Sequence, residues 1–373
     1  MSELRPLLVV GQTPPPVHGQ ALQIERLVEH PFDGIKVHFI PMRFSLAENE
    51  IGAARLRKLV ELVRLVRKVR AFARLHPQSA LYYPPAPPSM VPILRDLVLL
   101  ACVRHRFAKL IIHLHASGQR FSFGRNRFTR LAASVVYGRP NLAILNTDDA
   151  IPDALALHAR EFRVIPCGIP DPGDPPERSA TEERAIRVLS VGHISVEKGS
   201  LDLLEAIAEL IDSGVDVKLS LVGPFGSGLT ESMVRGRASD LGISARVSIP
   251  GILRGDDLAA AYREADVFAF PTKFHAESLG LVAVEAMSHG LPVIASRWRG
   301  VPYFVDDGVT GILHEPGDVA GLADGLRRLS LNRGLRGKMG HKSREIFLKL
   351  FTERRYWQKL EQALESTLRP TKS

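Results

Sequence analysis

Twelve short runs of β-prone apolar residues, spaced by longer stretches of helical period, constrain this 373-residue chain more than any other feature. Strands that alternate with helices form parallel sheets, because a parallel strand needs a crossover of a dozen or more residues to return to the same edge. Six runs fall in the first half: PLLVVG at 6–11, IKVHFI at 35–40, ALYYP at 80–84, KLIIHLH at 109–115, LAILN at 142–146 and FRVIP at 162–166. Six more follow: IRVLSVG, VKLSLVG, RVSIPG, VFAFP, LPVIAS and TGILHEP. Between the two sets, PDPGDPPERSATEER at 170–184 is rich in proline, glycine and charge, has no apolar period, and reads as a linker. The expected fold is α/β with two doubly wound parallel sheets. The expected domains are 1–169 and 185–350, followed by a helical segment, 351–373, able to pack back on the first domain. Open α/β sheets bind ligands beyond the carboxyl ends of their strands, so two such domains facing each other would frame a substrate cleft.

Composition narrows the class. Two cysteines, Cys102 and Cys167, cannot build a disulfide framework and suit a reducing cytosol. The opening MSELRPLLVV lacks the basic start and apolar run of a signal peptide, and LVLLACV at 97–103 is far short of a membrane span. The formal charge of +9 favours an anionic partner: nucleic acid, lipid headgroups or a phosphorylated substrate.

VGHISVEKGS at 191–200 has the residue types of a nucleotide-phosphate loop in the wrong order. A P-loop needs lysine after its last glycine, so that backbone N–H groups wrap the phosphates ahead of it; here Lys198 precedes Gly199. A second phosphate signal lies in FPTKFHAESLGLVAVEAMSHGLPVIAS, where a strand ends at Pro271 and a helix runs from near Leu281 to Gly290. Glu277 and Glu285 are eight apart, which on one helix means about 12 Å along the axis and about 80° around it. They are no general acid/base pair. With Glu277 in the loop and Glu285 in the helix, the free N–H groups at Gly280, Leu281 and Val282 lie between two carboxylates. A nucleotide sugar has that layout, a diphosphate flanked by two hydroxyl-rich rings. Read alone, the same pair is equally a surface loop glutamate and a helix glutamate.

The sequence resembles the retaining glycosyltransferases of family 4, the group 1 glycosyltransferases of GT-B architecture. ESLGLVAVEAMSHGLPVIAS resembles that family's motif of two glutamates separated by seven residues, with its helix and strand, and GVPYFVDDGVTGILHEPGD the segment after it. VGHISVEKGSLDLLEAI, IPCGI, VSIPGIL and LAAAYREADVFAFPT complete the likeness in family order. GT-B implies two Rossmann-like domains facing across a cleft. The resemblance implies that Glu277 contacts the donor sugar, that Glu285 holds the ribose hydroxyls, and that amides at Gly280, Leu281 and Val282 meet the diphosphate. Lys198 matches the lysine that neutralises the departing diphosphate, and Ile252 also falls on the donor side. His193 stands where relatives keep an arginine, and a histidine lacks both the guanidinium fork and a full charge at pH 7. Arg254, Lys273 or Arg297 are candidates to replace that cation.

In the first half, VVGQTPPPVHGQALQIERLVEH resembles the family's opening strand, loop and helix, with His18 and Gly19 where members carry two glycines. Gly19 lets backbone approach the donor phosphate or the acceptor, while His18 narrows the loop on the acceptor side. His113 and His115 share one side of a strand by period 2. His115 matches the family histidine beside the reacting sugar; His113 reads as a packed core residue. With no cysteine or third histidine at ligand spacing, no metal is expected there.

The implied reaction moves a glycosyl group from a nucleoside diphosphate sugar to a hydroxyl of a lipid-linked or glycan acceptor, with retention, in surface polysaccharide or glycolipid synthesis. The chain has no D-x-D motif, the usual metal holder of the other common architecture, so no metal or other cofactor is expected. The stretch 55–74 holds eight Arg/Lys against Glu61. Leu59, Leu62, Val66, Val69 and Ala73 fall on one side of its wheel, with Arg57, Arg64, Arg67 and Lys68 across from them. It reads either as a helix lying on an anionic membrane or as an ordinary helix with a basic solvent face. Arg120 and Arg125, set among phenylalanines at 118–130, suit a phosphate-bearing acceptor better than nucleic acid, which is not an expected partner. The expected location is cytoplasmic, peripheral to the inner membrane face. The alternative is a non-catalytic GT-B scaffold or partner subunit of another transferase, motivated by His18 and His193.

Overall fold

A computed structural model describes residues 4–15, 19–42, 54–85, 90–116, 131, 134–175, 185–226 and 228–369. The chain divides into two compact units, the first comprising 1–167 with 356–373 and the second 168–355. Each is built on a six-stranded, wholly parallel sheet.

The first sheet has the order β2-β1-β3-β4-β5-β6. Its strands are β1 (Arg5–Gly11), β2 (Ile35–Pro41), β3 (Ala80–Tyr83), β4 (Lys109–Leu114), β5 (Leu142–Leu145) and β6 (Phe162–Val164). Alternation along these strands sorts the core into two faces. Leu8, Val10, Leu81, Tyr83, Leu110, Ile112 and Leu145 point one way, onto Leu65 and Val69 of α2 (Ala54–Leu75) and Leu97 and Leu100 of α3 (Met90–Val103). Leu7, Val9, Ala80, Tyr82, Ile111 and Ile144 point the other way, onto Ile24 and Leu27 of α1 (Gly19–Glu29).

The same second face takes the end of the chain. Tyr356, Leu360, Ala363 and Leu364, spaced at i, i+4, i+7 and i+8, put one stripe of the C-terminal helix (Glu353–Leu368) into that core. His30 stacks on Trp357 with centroids 4.0 Å apart and hydrogen-bonds Glu361 at 2.9 Å. Lys109 caps the helix, donating to the carbonyls of Thr367 and Arg369, which have no intrahelical donors left.

In α2 the buried side is centred on Leu65, Val69 and Ala73. Leu59, expected on that side, is 57% exposed because it lies about 120° around the helix from Leu65. Arg57, Arg64, Arg67 and Lys68 are all exposed, with exposed Val60 and Val63 between them.

The second sheet has the order β12-β11-β10-β7-β8-β9. Its strands are β7 (Ile186–Val191), β8 (Val217–Val222), β9 (Val247–Gly251), β10 (Val267–Phe270), β11 (Val293–Ser296) and β12 (Gly311–His314). Strand order reverses between β7 and β10, and that switch point opens a crevice at the carboxyl ends of the two strands. Of the linker stretch, residues 176–184 lie outside the described residues. Asp171 is tied down, accepting from Arg344 at 2.7 Å and from the Gly173 N–H at 3.0 Å.

Because Leu360 is wholly buried in the first unit's core, Leu360→Ala is expected to cost about 2–5 kcal/mol through lost burial and a residual cavity. Urea unfolding followed by circular dichroism would show this as a lower midpoint for the transition of the first unit.

Candidate functional site in the second unit

The loop after β7 turns sharply at Gly199, the N-cap of the helix Ser200–Asp212, with φ of 73°. A Cβ there would sit 2.1 Å from the carbonyl oxygen of Pro271, so only glycine lets this turn touch the end of β10. Ser195 braces the loop: its N–H donates to Ser200 Oγ at 3.1 Å, and its own Oγ accepts from the Lys198 N–H at 3.2 Å. A further backbone bond, Lys273 N–H to the Glu197 carbonyl at 2.8 Å, joins the β7 loop to the β10 loop.

This junction brings Lys198 to Glu277. Lys198 Nζ donates to Glu277 Oε2 at 2.5 Å, and the Thr272 hydroxyl donates to the same oxygen at 2.8 Å. Glu277 is 7% exposed, so its carboxylate is held by one cation and one hydroxyl rather than by bulk water. The lysine ammonium also lies 5.0 Å from the Phe274 ring centroid and 5.6 Å from that of Phe270. Thr272 Oγ1 accepts from the Phe274 N–H at 3.3 Å, and Trp298 Nε1 donates to the Phe274 carbonyl at 2.8 Å, which fixes the turn carrying Glu277.

Three residues on, Gly280 caps the helix Leu281–Ser288 in the left-handed region with φ of 61°. A Cβ there would meet the Phe270 ring at 2.9 Å. The first turn leaves backbone N–H groups near Leu281 and Val282 without intrahelical partners, a site suited to an anion. Glu285, one turn further, is half-buried, and the Tyr262 hydroxyl reaches its Oε2 at 2.9 Å and the Val282 carbonyl at 3.0 Å. Tyr262 is buried and stacks on His289 with centroids 5.3 Å apart, so Glu285 has a rigid neighbour. Burial and the adjacent carboxylate push the Tyr262 hydroxyl well above the usual phenol range, so it stays a donor.

Lys198, Glu277, Gly280, Leu281, Val282 and Glu285 thus come together around the ends of β7 and β10. His193 and Ile252 are both exposed, on the loops after β7 and β9. Of the cations considered as replacements at the arginine position, Lys273 is committed to Asp202 at 2.8 and 3.0 Å, and Arg297 to Asp307 at 2.6 Å. Arg254 is exposed and makes no ion pair among the described residues. Thr272 and Tyr262 were not singled out from the sequence. The adjacency of Thr272 to the end of a strand, five residues before a loop carboxylate, is the signal that could have found it.

In the first unit, Gly19 opens α1 and is exposed. His115 lies just past the end of β4, half-buried, with its ring centroid 3.9 Å from that of His113. His18, Arg120 and Arg125 lie outside the described residues. His113 is fully buried, bonded through Nδ1 to the Tyr82 hydroxyl and through Nε2 to Asn146 Oδ1 at 3.2 Å. Burial lowers its pKa to about 4, so it is neutral at physiological pH. The sequence offered no third metal ligand near the two histidines, but the fold supplies Cys167, whose Sγ lies with them in one cluster. Among the described residues no helix is long and apolar enough to cross a membrane.

Comparison with known proteins agrees with this geometry. The family model for glycosyl transferases group 1 matches residues 175–346. A D-inositol 3-phosphate glycosyltransferase of Corynebacterium jeikeium is 33% identical over 228 residues, covering 57% of this chain and 54% of that protein. One from Mycobacterium bovis is 38% identical over 213 residues, covering 52% and 42%. The chain therefore spans about half the length of the curated relatives it matches. Among solved structures, a sucrose-phosphate synthase from Thermosynechococcus elongatus superposes with a TM-score of 0.75 at 18% identity, covering 97% of this chain and 98% of that one. The Anabaena protein HepE, solved with UDP-glucose, superposes at 0.72 with 20% identity, covering 96% and 99%. The chain thus has the GT-B fold, two parallel Rossmann-like sheets, and its segment 175–346, which carries Lys198, Glu277 and Glu285, matches the glycosyl transferases group 1 family model.

Proposed function

We propose that this protein is a retaining, nucleotide-sugar-dependent hexosyltransferase of family 4, acting without a metal on a hydroxyl of a lipid-linked or glycan acceptor. One observation carries the reading: Lys198 Nζ and Glu277 Oε2 meet at 2.5 Å beside the amino end of the helix that carries Glu285. A cation and helix amides facing one spot suit a diphosphate, and the two carboxylates suit the hydroxyls on either side of it. HepE was solved with UDP-glucose, which supports a nucleoside diphosphate sugar as the donor.

In this reading the bond between the anomeric carbon and the diphosphate oxygen breaks as the acceptor hydroxyl attacks from the same face. The departing phosphate oxygen takes the acceptor proton, so no protein base is required. Negative charge grows on the diphosphate, and Lys198 with the amides at Leu281 and Val282 meets it already oriented. Glu277 both orients Lys198 and accepts from sugar hydroxyls, while Glu285, steadied by Tyr262, accepts from the ribose. The absence of D-x-D from the sequence supports charge neutralisation by these groups. The curated relatives named for inositol phosphate make a phosphate-bearing polyol a reasonable acceptor class, within glycolipid or surface polysaccharide synthesis.

The protein would reach such an acceptor as a cytoplasmic, peripheral membrane protein. The exposed side of α2 presents Arg57, Arg64, Arg67 and Lys68 around Val60 and Val63, a mixture that suits anionic headgroups and the acyl boundary below them.

A saturating UDP- or GDP-sugar should raise the melting temperature by several degrees, since ligand at about 100 times its Kd adds about 2.7 kcal/mol. Nucleotide release should persist in EDTA. Lys198→Ala should lower kcat by about 100-fold or more, and Glu285→Gln should raise the donor KM about tenfold or more with a smaller change in kcat. If no nucleotide sugar shifts the melting temperature, the non-catalytic scaffold is the better reading.

For the membrane, flotation with vesicles containing about 30% anionic lipid should recover the protein. Charge reversal at Arg64, Arg67 and Lys68 should abolish that recovery, each cation contributing about 1 kcal/mol. Unchanged recovery would leave α2 an ordinary solvent-facing helix.

A further inference from the structure

A second cluster of chemistry-bearing side chains lies in the first unit, at the carboxyl ends of three neighbouring strands. β4, β5 and β6 are adjacent and parallel, with His113 opposite Ile144 and Leu145 opposite Val164 in register. His113 lies in β4 and His115 one residue past it, Asn146 one past β5, and Cys167 three past β6. One ligand atom from each of His113, His115 and Cys167 lies within 4.8 Å of the other two.

We propose that His113, His115 and Cys167 form a binding site for a thiophilic divalent metal of the Zn2+ type, one that acts on the protein as an inhibitor rather than as a cofactor. Two imidazoles and one thiolate are a donor set that zinc takes, with the fourth position left to water. Tetrahedral zinc holds such donors about 3.3–3.8 Å apart, so the cluster has to close by about 1 Å. His113 and Cys167 are buried, while half-buried His115 gives the side of entry.

The surrounding groups suit this use. Cys167 Sγ–H donates to Asn146 Oδ1 at 3.2 Å. A metal therefore binds by displacing that proton: the S–H bond breaks, an S–metal bond forms and the proton leaves to solvent. His113 already meets Tyr82 through Nδ1, so with Nε2 on the metal the Nδ1–H would donate to the phenol oxygen, the outer contact that metal-bound histidines require. Asn146, released from its two donors, can turn its amide N–H toward the new thiolate.

Metal binding at this cluster is independent of glycosyl transfer, and only its inhibitory effect rests on the proposed function. A metal on His115 occupies the side chain that the family resemblance sets beside the reacting sugar.

Co2+ titrated into the metal-stripped 373-residue chain, with no sugar donor present, tests the site directly. A thiolate-to-cobalt charge-transfer band is expected in the near ultraviolet, and Zn2+ should displace it. The chain has two cysteines, so Cys102→Ser should keep the band and Cys167→Ser should lose it. His115→Ala should weaken Co2+ binding at least tenfold while leaving the melting temperature within a few degrees, which separates loss of a ligand from loss of the fold. Absence of the band from the wild-type chain, or its survival in Cys167→Ser, overturns the proposal. A band present without Zn2+ inhibition would remove only the inhibitory role, and inhibition without the band would place the metal elsewhere.

Discussion

The contact between the Gly199 turn and the carbonyl of Pro271 governs the second unit. It is a backbone-to-backbone approach that leaves no room for a side chain, and it sits where the strand order reverses between β7 and β10. A parallel sheet with that reversal has one place where two loops leave their strands in opposite directions, and the glycine lets them close on each other there. Lys198 immediately precedes the contact and Thr272 immediately follows it, which places their functional atoms on one carboxylate.

Buried charge is tolerated here because it is shared. Glu277 is nearly inaccessible and would be costly alone, but it accepts from a lysine and a threonine at once. Glu285 is backed by a tyrosine that is itself clamped between a histidine ring and a backbone carbonyl. Committed ion pairs restrict the cations nearby: Asp202 holds Lys273 and Asp307 holds Arg297. Lys198 is itself paired with Glu277, three residues before the glycine that caps the helix carrying Glu285.

The first unit shows the same economy with neutral groups. Tyr82, His113, Asn146 and Cys167 satisfy one another in a core where none of them is charged at physiological pH. Period-2 patterning foretold that His113 and His115 share a side, and the structure sets their rings 3.9 Å apart between centroids, tilted by 30°. It could not foretell Cys167, because the distance between strand ends depends on which strands are neighbours. Leu59 shows the opposite limit: its helical wheel was right in period but off in centre, since the sheet decides which part of an apolar arc is covered.

The amino-acid sequence by itself determined the twelve strands, their parallel sense, their division into two sheets, and the loop-then-helix placement of Glu277 and Glu285. These follow from local periodicity, strand and helix length, and the need of parallel strands for crossovers. Only tertiary structure decided that Lys198 meets Glu277, that Thr272 and Tyr262 hold the two glutamates, that Lys273 and Arg297 are committed to aspartates, and that Cys167 joins two histidines. Apart from Thr272 to Glu277 and Arg297 to Asp307, which lie five and ten residues apart, those contacts join residues distant in the chain, and strand order and backbone approach, not local pattern, bring them together.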